Sequence, residues 1–158
     1  MGRPLGSCKL TEGNAAMSTT ISNQVTATGA QAAKQIVEEY LRVLMIPDPE
    51  AASRFISDDL SITFTGGRSF MHPSECAKFN ATRYAWVKKR FGQTDVVERG
   101  DEAVVYQTGT LYGEWPDGTA FDGNRYIDRY VVRNGLITSM EVWNDSAERI
   151  LTLKGIEA

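Results

Sequence analysis

The chain is poor in the residues that build metal centres and covalent cross-links: its 158 residues include one histidine, His72, and two cysteines, Cys8 and Cys76. Neither a disulfide framework nor a four-cysteine zinc site can be assembled from that set, and a reducing cytoplasm is the compartment it fits. An excess of positive charge is missing too. Seventeen lysines and arginines against 20 aspartates and glutamates leave a net charge of −3, so neither nucleic acid nor an anionic membrane finds a basic surface to bind. No apolar run approaches the roughly 20 residues of a membrane span, and the first thirty residues lack the apolar stretch of a secretion signal. Glycine-rich phosphate loops, paired cysteines and internal repeats are absent as well, which leaves no expected metal or cofactor.

What remains is the composition of one globular domain, 42% hydrophobic and 23% charged, long enough to bury a core. Residues 1–28 are rich in Gly, Ser, Thr and Asn and show neither the helical nor the strand period. They read as a disordered tail or an appended leader, with Met17 as a candidate natural start. The domain proper is expected over residues 29–153.

Ala33, Ile36, Val37, Tyr40, Leu41 and Leu44 follow one another at helical spacing, and Pro47 and Pro49 stop the pattern. Asp48, Pro49 and Glu50 are the N-cap, first-turn proline and first-turn acid of a short second helix. "LSITFT" alternates as a half-buried strand. A third helix is expected from about Ser74 to Arg90, with Lys88, Lys89 and Arg90 as its solvated, dipole-favoured end. After it the period becomes two, with strands near 94–99, 102–115, 119–133 and 136–144, the last pair joined by the hairpin signal Asn134-Gly135. "SAERILTLKGI" reads as a short closing helix. Helices followed by hairpins define α+β: three N-terminal helices on the concave face of a curved antiparallel sheet, a cone-shaped α+β barrel with a cavity between the layers.

"GNRYIDRYVVRNG" then raises a chemical question. Alternation places Tyr126, Asp128, Tyr130 and Val132 on one face, and Arg125, Arg129 and Arg133 on the other. Asp128 is thus an acid in the aromatic row, either a pocket acid whose neutral form burial favours or a structural acid satisfied by tyrosine hydroxyls or an arginine.

The order of elements, with "EEYLRVL" in the first helix, "FISDDLSITF" in the first strand and "RYIDRYVVRNGLITSMEVWND" at the end, resembles the nuclear transport factor 2-like superfamily. That superfamily includes ketosteroid isomerases and SnoaL-like polyketide cyclases. Against the isomerases, the resemblance puts Tyr40 and Asp128 at the oxyanion-hole positions, Phe64 where the catalytic base stands, and Met140 and Asn144 inward. Against the phenazine-biosynthesis A/B family, "RSFMHPSE" puts His72 at the active-site histidine, and "NGLITSMEVWN" makes Glu141 the catalytic glutamate. Only one row of the last strand can face a cavity, so Glu141 and the Met140/Asn144 row are mutually exclusive unless a bulge intervenes.

The resemblance implies a cofactor-free enzyme performing acid/base proton transfer on a hydrophobic carbonyl compound, as an isomerase, cyclase or dehydratase. Asp128 would be acid or oxyanion donor, Tyr40 its support and His72 the base, with Phe64, Phe79, Trp86, Tyr126, Met140 and Asn144 lining the pocket. A non-catalytic ligand-binding or dimerisation module on the same cone is the alternative, and a homodimer through the open sheet face is expected in either case.

Overall fold

The computed structural model describes residues 19–46 and 48–156. Its elements are α1 (Thr19–Met45), α2 (Pro49–Ser53), β1 (Ile56–Phe64), β2 (Arg68–Phe70), α3 (Pro73–Ala81), β3 (Trp86–Arg99), β4 (Glu102–Glu114), β5 (Ala120–Arg133), β6 (Leu136–Asn144) and α4 (Ser146–Leu153). The six strands form one sheet in the order β2-β1-β6-β5-β4-β3, antiparallel throughout except for the β1–β6 pair. This is the expected α+β cone, with two helices ahead of β1 and the third after the β1–β2 hairpin. Cys8 and Met17 lie outside the described residues.

The apolar stripe of α1 makes the core. Val37, Tyr40 and Leu41 are buried against Leu60 and Ile62 of β1, Val105 of β4, Tyr130 of β5, and Ile137 and Met140 of β6. Each large apolar side chain so buried contributes roughly 1.5–3 kcal/mol, and truncation of Leu41 to alanine would cost about 2–5 kcal/mol. The helix itself begins at Thr19, earlier than the stripe that predicts it. Asp48 caps α2 as expected, its side chain accepting from the Ala51 N–H at 2.9 Å.

Strand register breaks in four places, between Ile56 and Ser61, Phe91 and Thr94, Leu111 and Tyr112, and Val131 and Val132, with the extra residues in β1, β3, β5 and β6 respectively. Bulges of this kind bend a sheet and so wrap it round the helix. Asn134 and Gly135 both have positive φ, 51° and 79°, the combination a type I′ hairpin requires. On the outer face the three arginines of β5 each find an acid: Arg125 with Asp145, Arg129 with Glu141, and Arg133 with Glu102 and Asp101.

One boundary corrects the sequence reading. α3 ends at Ala81, and residues 86–99 form β3 rather than the last turns of a helix reaching Arg90. Tyr84, Val87 and Phe91 fit a helical period, but Val87 and Lys89 also alternate, and pairing with β4 from Trp86 onward decides in favour of the strand. Lys88, Lys89 and Arg90 therefore point to alternate faces of a sheet instead of fraying from a helix end.

Candidate active site

The sheet's inner face and α1 enclose a cavity of about 220 Å³ with apolar walls, among them Met45, Ile62, Phe64, Val87, Leu111 and Val142. Its polar end is built on β5. Asp128 is 1% exposed, and its Oδ2 accepts hydrogen bonds from the Tyr130 hydroxyl, at 2.9 Å, and from the Lys89 ammonium. Oδ1 is buried with no donor among the described residues. A buried polar atom left without a partner is costly and rare, and this one belongs to a residue of the cavity lining.

Lys89 reaches Asp128 from β3, two strands away, with its side chain 17% exposed. On the way its Nζ lies 4.2 Å from the centroid of the Tyr126 ring. Tyr126 can lie beneath it because its partner on β4 is Gly109. A Cβ at Gly109 would sit 2.2 Å from the Arg90 carbonyl oxygen and 2.9 Å from the Tyr126 hydroxyl oxygen, so any side chain there would push the ring away. The Tyr126 hydroxyl donates to Gln107 Oε1, itself buried.

Tyr40 completes the cluster from α1. Its hydroxyl makes no hydrogen bond to any described residue, and its ring packs edge-on against Tyr130, with centroids 6.2 Å apart. Burial pushes its phenol up, and neighbouring Cys76 and Asp128 push it further. Tyr130 and Tyr126 are raised in the same way, by burial first and by the Asp128 charge second. All three phenols therefore stay protonated: Tyr130 donates to Asp128 and Tyr126 to Gln107, which leaves the Tyr40 proton uncommitted among the described residues. Cys76, also on the cavity wall, is pushed up to about 12 by burial and by the charge of Glu75, which makes it an unreactive thiol.

Of the residues singled out in the sequence, Asp128, Tyr40, Phe64, Tyr126, Met140 and Asn144 meet at this cavity. Four others lie elsewhere. His72 is exposed and caps α3: its Nδ1 accepts from the Ser74 N–H at 3.1 Å while Glu75 accepts from the His72 N–H at 3.2 Å. Pro73, which follows it, reaches the cavity in its place. Glu141 points outward to Arg129 at 3.0 Å, because Tyr126 pairs with Asn144, Asp128 with Val142 and Tyr130 with Met140 on the inner face. Trp86 is 42% exposed and packs edge-on against Tyr112 on the outer face. Phe79 packs on Phe64 and Phe70 with the Arg68 guanidinium over its ring.

Lys89 and Tyr130 belong to the site and were not anticipated. Tyr130 shares a strand row with Asp128, and the alternation Val87-Lys89 in "WVKKRF" was the signal for Lys89, hidden by the competing helical spacing.

A cone of strands curled round one long helix is the architecture of nuclear transport factor 2-like proteins, and known structures agree. A nuclear transport factor 2-like protein with a cystatin-like fold from Novosphingobium aromaticivorans superposes with a TM-score of 0.63 at 15% identity, covering 81% of this chain and 90% of that one. TerC co-crystallised with polyporic acid gives 0.59 at 17% identity, over 76% and 96% of the two chains. A proposed polyketide cyclase from Xanthomonas campestris gives 0.57 at 16% identity, over 77% and 96%. No curated protein sequence matches. The SnoaL-like domain family matches residues 37–140, and the chain belongs to that family. Among the described residues, no helix is long and apolar enough to cross a membrane.

Proposed function

We propose that the protein is a cofactor-free enzyme that transfers a proton α to the carbonyl of a small hydrophobic ring compound. Isomerisation, cyclisation and dehydration share this first step. The observation that carries the reading is the unpartnered Oδ1 of Asp128, a residue that lines an apolar cavity together with Tyr40 and with its ion-pair partner Lys89. In the proposed step Oδ1 takes the α-proton, the C–H electron pair moves onto the carbonyl oxygen, and Tyr40 and Lys89 donate hydrogen bonds to the enolate that forms. Asp128, now a carboxylic acid, returns the proton to the rearranged carbon. His72 and Glu141 take no part.

Cavity size supports a substrate of one or two rings. An apolar cavity of about 150 Å³ holds benzene, and this one, at about 220 Å³, has room for a fused second ring or several substituents. The TerC co-crystal with polyporic acid and the proposed polyketide cyclase, both similar in fold, are consistent with a small organic ligand in the cone. We place the enzyme in the cytoplasm, as a homodimer joined through the outer sheet face. There Ile127 and Trp143 are register partners and remain 40% and 43% exposed.

A second reading, a non-catalytic ligand-binding module, draws on the ion pair: Lys89 already neutralises Asp128, which is how a structural acid is satisfied. The two readings separate on hydrogen–deuterium exchange at the α-carbon of a ring ketone such as 1-tetralone. An enzyme accelerates it and loses that acceleration in Asp128→Asn, whereas a binding module does neither.

A further inference from the structure

Asn144 ends β6 on the inner face and lines the cavity. Its Oδ1 accepts the Ser146 backbone N–H at 3.0 Å. Only the carbonyl end of an amide can accept from an N–H, so this bond fixes which way the side chain is turned. Ser146 is itself fully buried, and its hydroxyl accepts from the Tyr84 hydroxyl at 2.7 Å. The anchor is thus tied to the start of β3 as well as to α4. The Asn144 amide nitrogen is left with two N–H groups and no acceptor among the described residues.

Register gives the distance to the reacting end. Tyr126 pairs with Asn144 and Asp128 with Val142, so Asp128 and Asn144 are diagonal neighbours on one sheet face. Such neighbours lie about 7–8 Å apart. Asn144 turns its carbonyl to Ser146, away from Val142, so the gap between its amide and the Asp128 carboxyl is wider than that. It is bridged by one six-membered ring bearing a polar atom at each edge.

From this geometry we infer that Asn144 is a specificity residue, donating a hydrogen bond to a second oxygen of the substrate, across the ring from the carbonyl processed at Asp128. The inference rests on the cavity being the substrate site. The ligand class it names is a one- or two-ring ketone carrying an oxygen acceptor on the opposite edge of the same ring. Tyr40, Lys89 and Asp128 handle the first oxygen and its α-proton, and Asn144 answers the second; Asn80, Tyr84 and Lys88 also line the cavity.

The test compares 4-hydroxy-1-tetralone with 1-tetralone, which differ by one hydroxyl across the ring from the carbonyl. Binding to the wild-type protein, Asn144→Leu and Asn144→Asp is followed by calorimetry. Asn144→Asp keeps the acceptor for Ser146 N–H, but its carboxylate can accept from a ligand hydroxyl, so this variant is read with 4-methoxy-1-tetralone, whose ether oxygen only accepts, and separates a role toward ligand from a role in folding. A net hydrogen bond of about 0.5–1.5 kcal/mol corresponds to roughly a 2- to 12-fold preference for the hydroxylated ketone in wild type. That preference is expected to vanish in Asn144→Leu, and any wild-type preference for the methoxy ketone over 1-tetralone is expected to fall by about the same factor in Asn144→Asp, where the oxygen meets no donor. The inference is overturned if wild type shows no preference for the hydroxy ketone, if that preference survives in Asn144→Leu, if the methoxy ketone binds Asn144→Asp and wild type with the same preference over 1-tetralone, or if wild type binds none of the compounds. Deuterium exchange of the same ketones is scored separately: binding preference without exchange removes the proton-transfer function and leaves the assignment of Asn144 in place.

Discussion

Lys89 of β3 and Asp128 of β5 form an ion pair across β4, the strand that lies between theirs. Three arginines on β5 face away from Asp128 and are taken by other acids, so Lys89 is the one cation that hydrogen-bonds to it among the described residues. Removing one member of a buried pair leaves the other charge stranded, at a cost of about 3–5 kcal/mol. Lys89→Met is therefore expected to lose about 3 kcal/mol or more of unfolding free energy in urea at pH 7. Lys89→Met combined with Asp128→Leu should regain much of it. A loss below about 1 kcal/mol in the single variant would show that Asp128 does not need the ammonium.

Cys76 gives a pH dependence whose sign is fixed. Its folded value of about 12 lies above the ordinary 9.0, so the folded state holds the thiol proton more tightly than the unfolded chain does. The resulting stability is complete below pH 9 and is lost as pH rises from there through 12. In a Cys8→Ser background, adding Cys76→Ala should make the fall of stability between pH 9 and 12 shallower. The same thiol should react slowly with iodoacetamide at pH 8 and rapidly once the protein is unfolded. Equal rates in the two states would contradict the burial argument.

His72 is predicted to matter for the helix and not for chemistry. Loss of its capping bond to Ser74 should cost about 1 kcal/mol in His72→Ala. The rate of α-proton exchange should stay at the wild-type value, and a loss of about a hundredfold would reinstate His72 as the base.

The outer face yields a prediction about assembly. With Ile127 and Trp143 opposed and exposed on neighbouring strands, Ile127→Glu or Trp143→Glu should convert a dimer to a monomer in sedimentation velocity. Wild-type protein sedimenting as a monomer at tens of micromolar would remove the proposed interface.

Much of the cone was legible because its elements announce themselves locally. The α1 stripe has one period, the Asn134-Gly135 turn needs two positive φ angles, and the alternation of β5 puts Asp128 in the aromatic row wherever the strand pairs. The boundary of α3 was not legible in this way, since "TRYAWVKKRFG" satisfies both periods and only pairing with β4 chooses between them. That single ambiguity hid Lys89 and misplaced Trp86, which the strand turns to the outer face. Glu141 and Asn144 competed for the same reason: in one strand a shift of one residue exchanges the faces, and the register with β5 decides for Asn144. A catalytic His72 comes from a resemblance, while its place before Pro73 at the head of α3 is that of a cap residue, and capping is what its ring does toward the Ser74 N–H.

The central claim is that Asp128 Oδ1 is the proton-transferring atom, and the most direct measurement is deuterium incorporation at C2 of 1-tetralone in D₂O at pD 7, followed by NMR. The comparison is between wild type, Asp128→Asn and buffer. The account predicts exchange well above buffer in wild type and a loss of about a hundredfold or more in Asp128→Asn, with the variant still folded. Exchange at the buffer rate in wild type, or equal rates in wild type and variant, would contradict it.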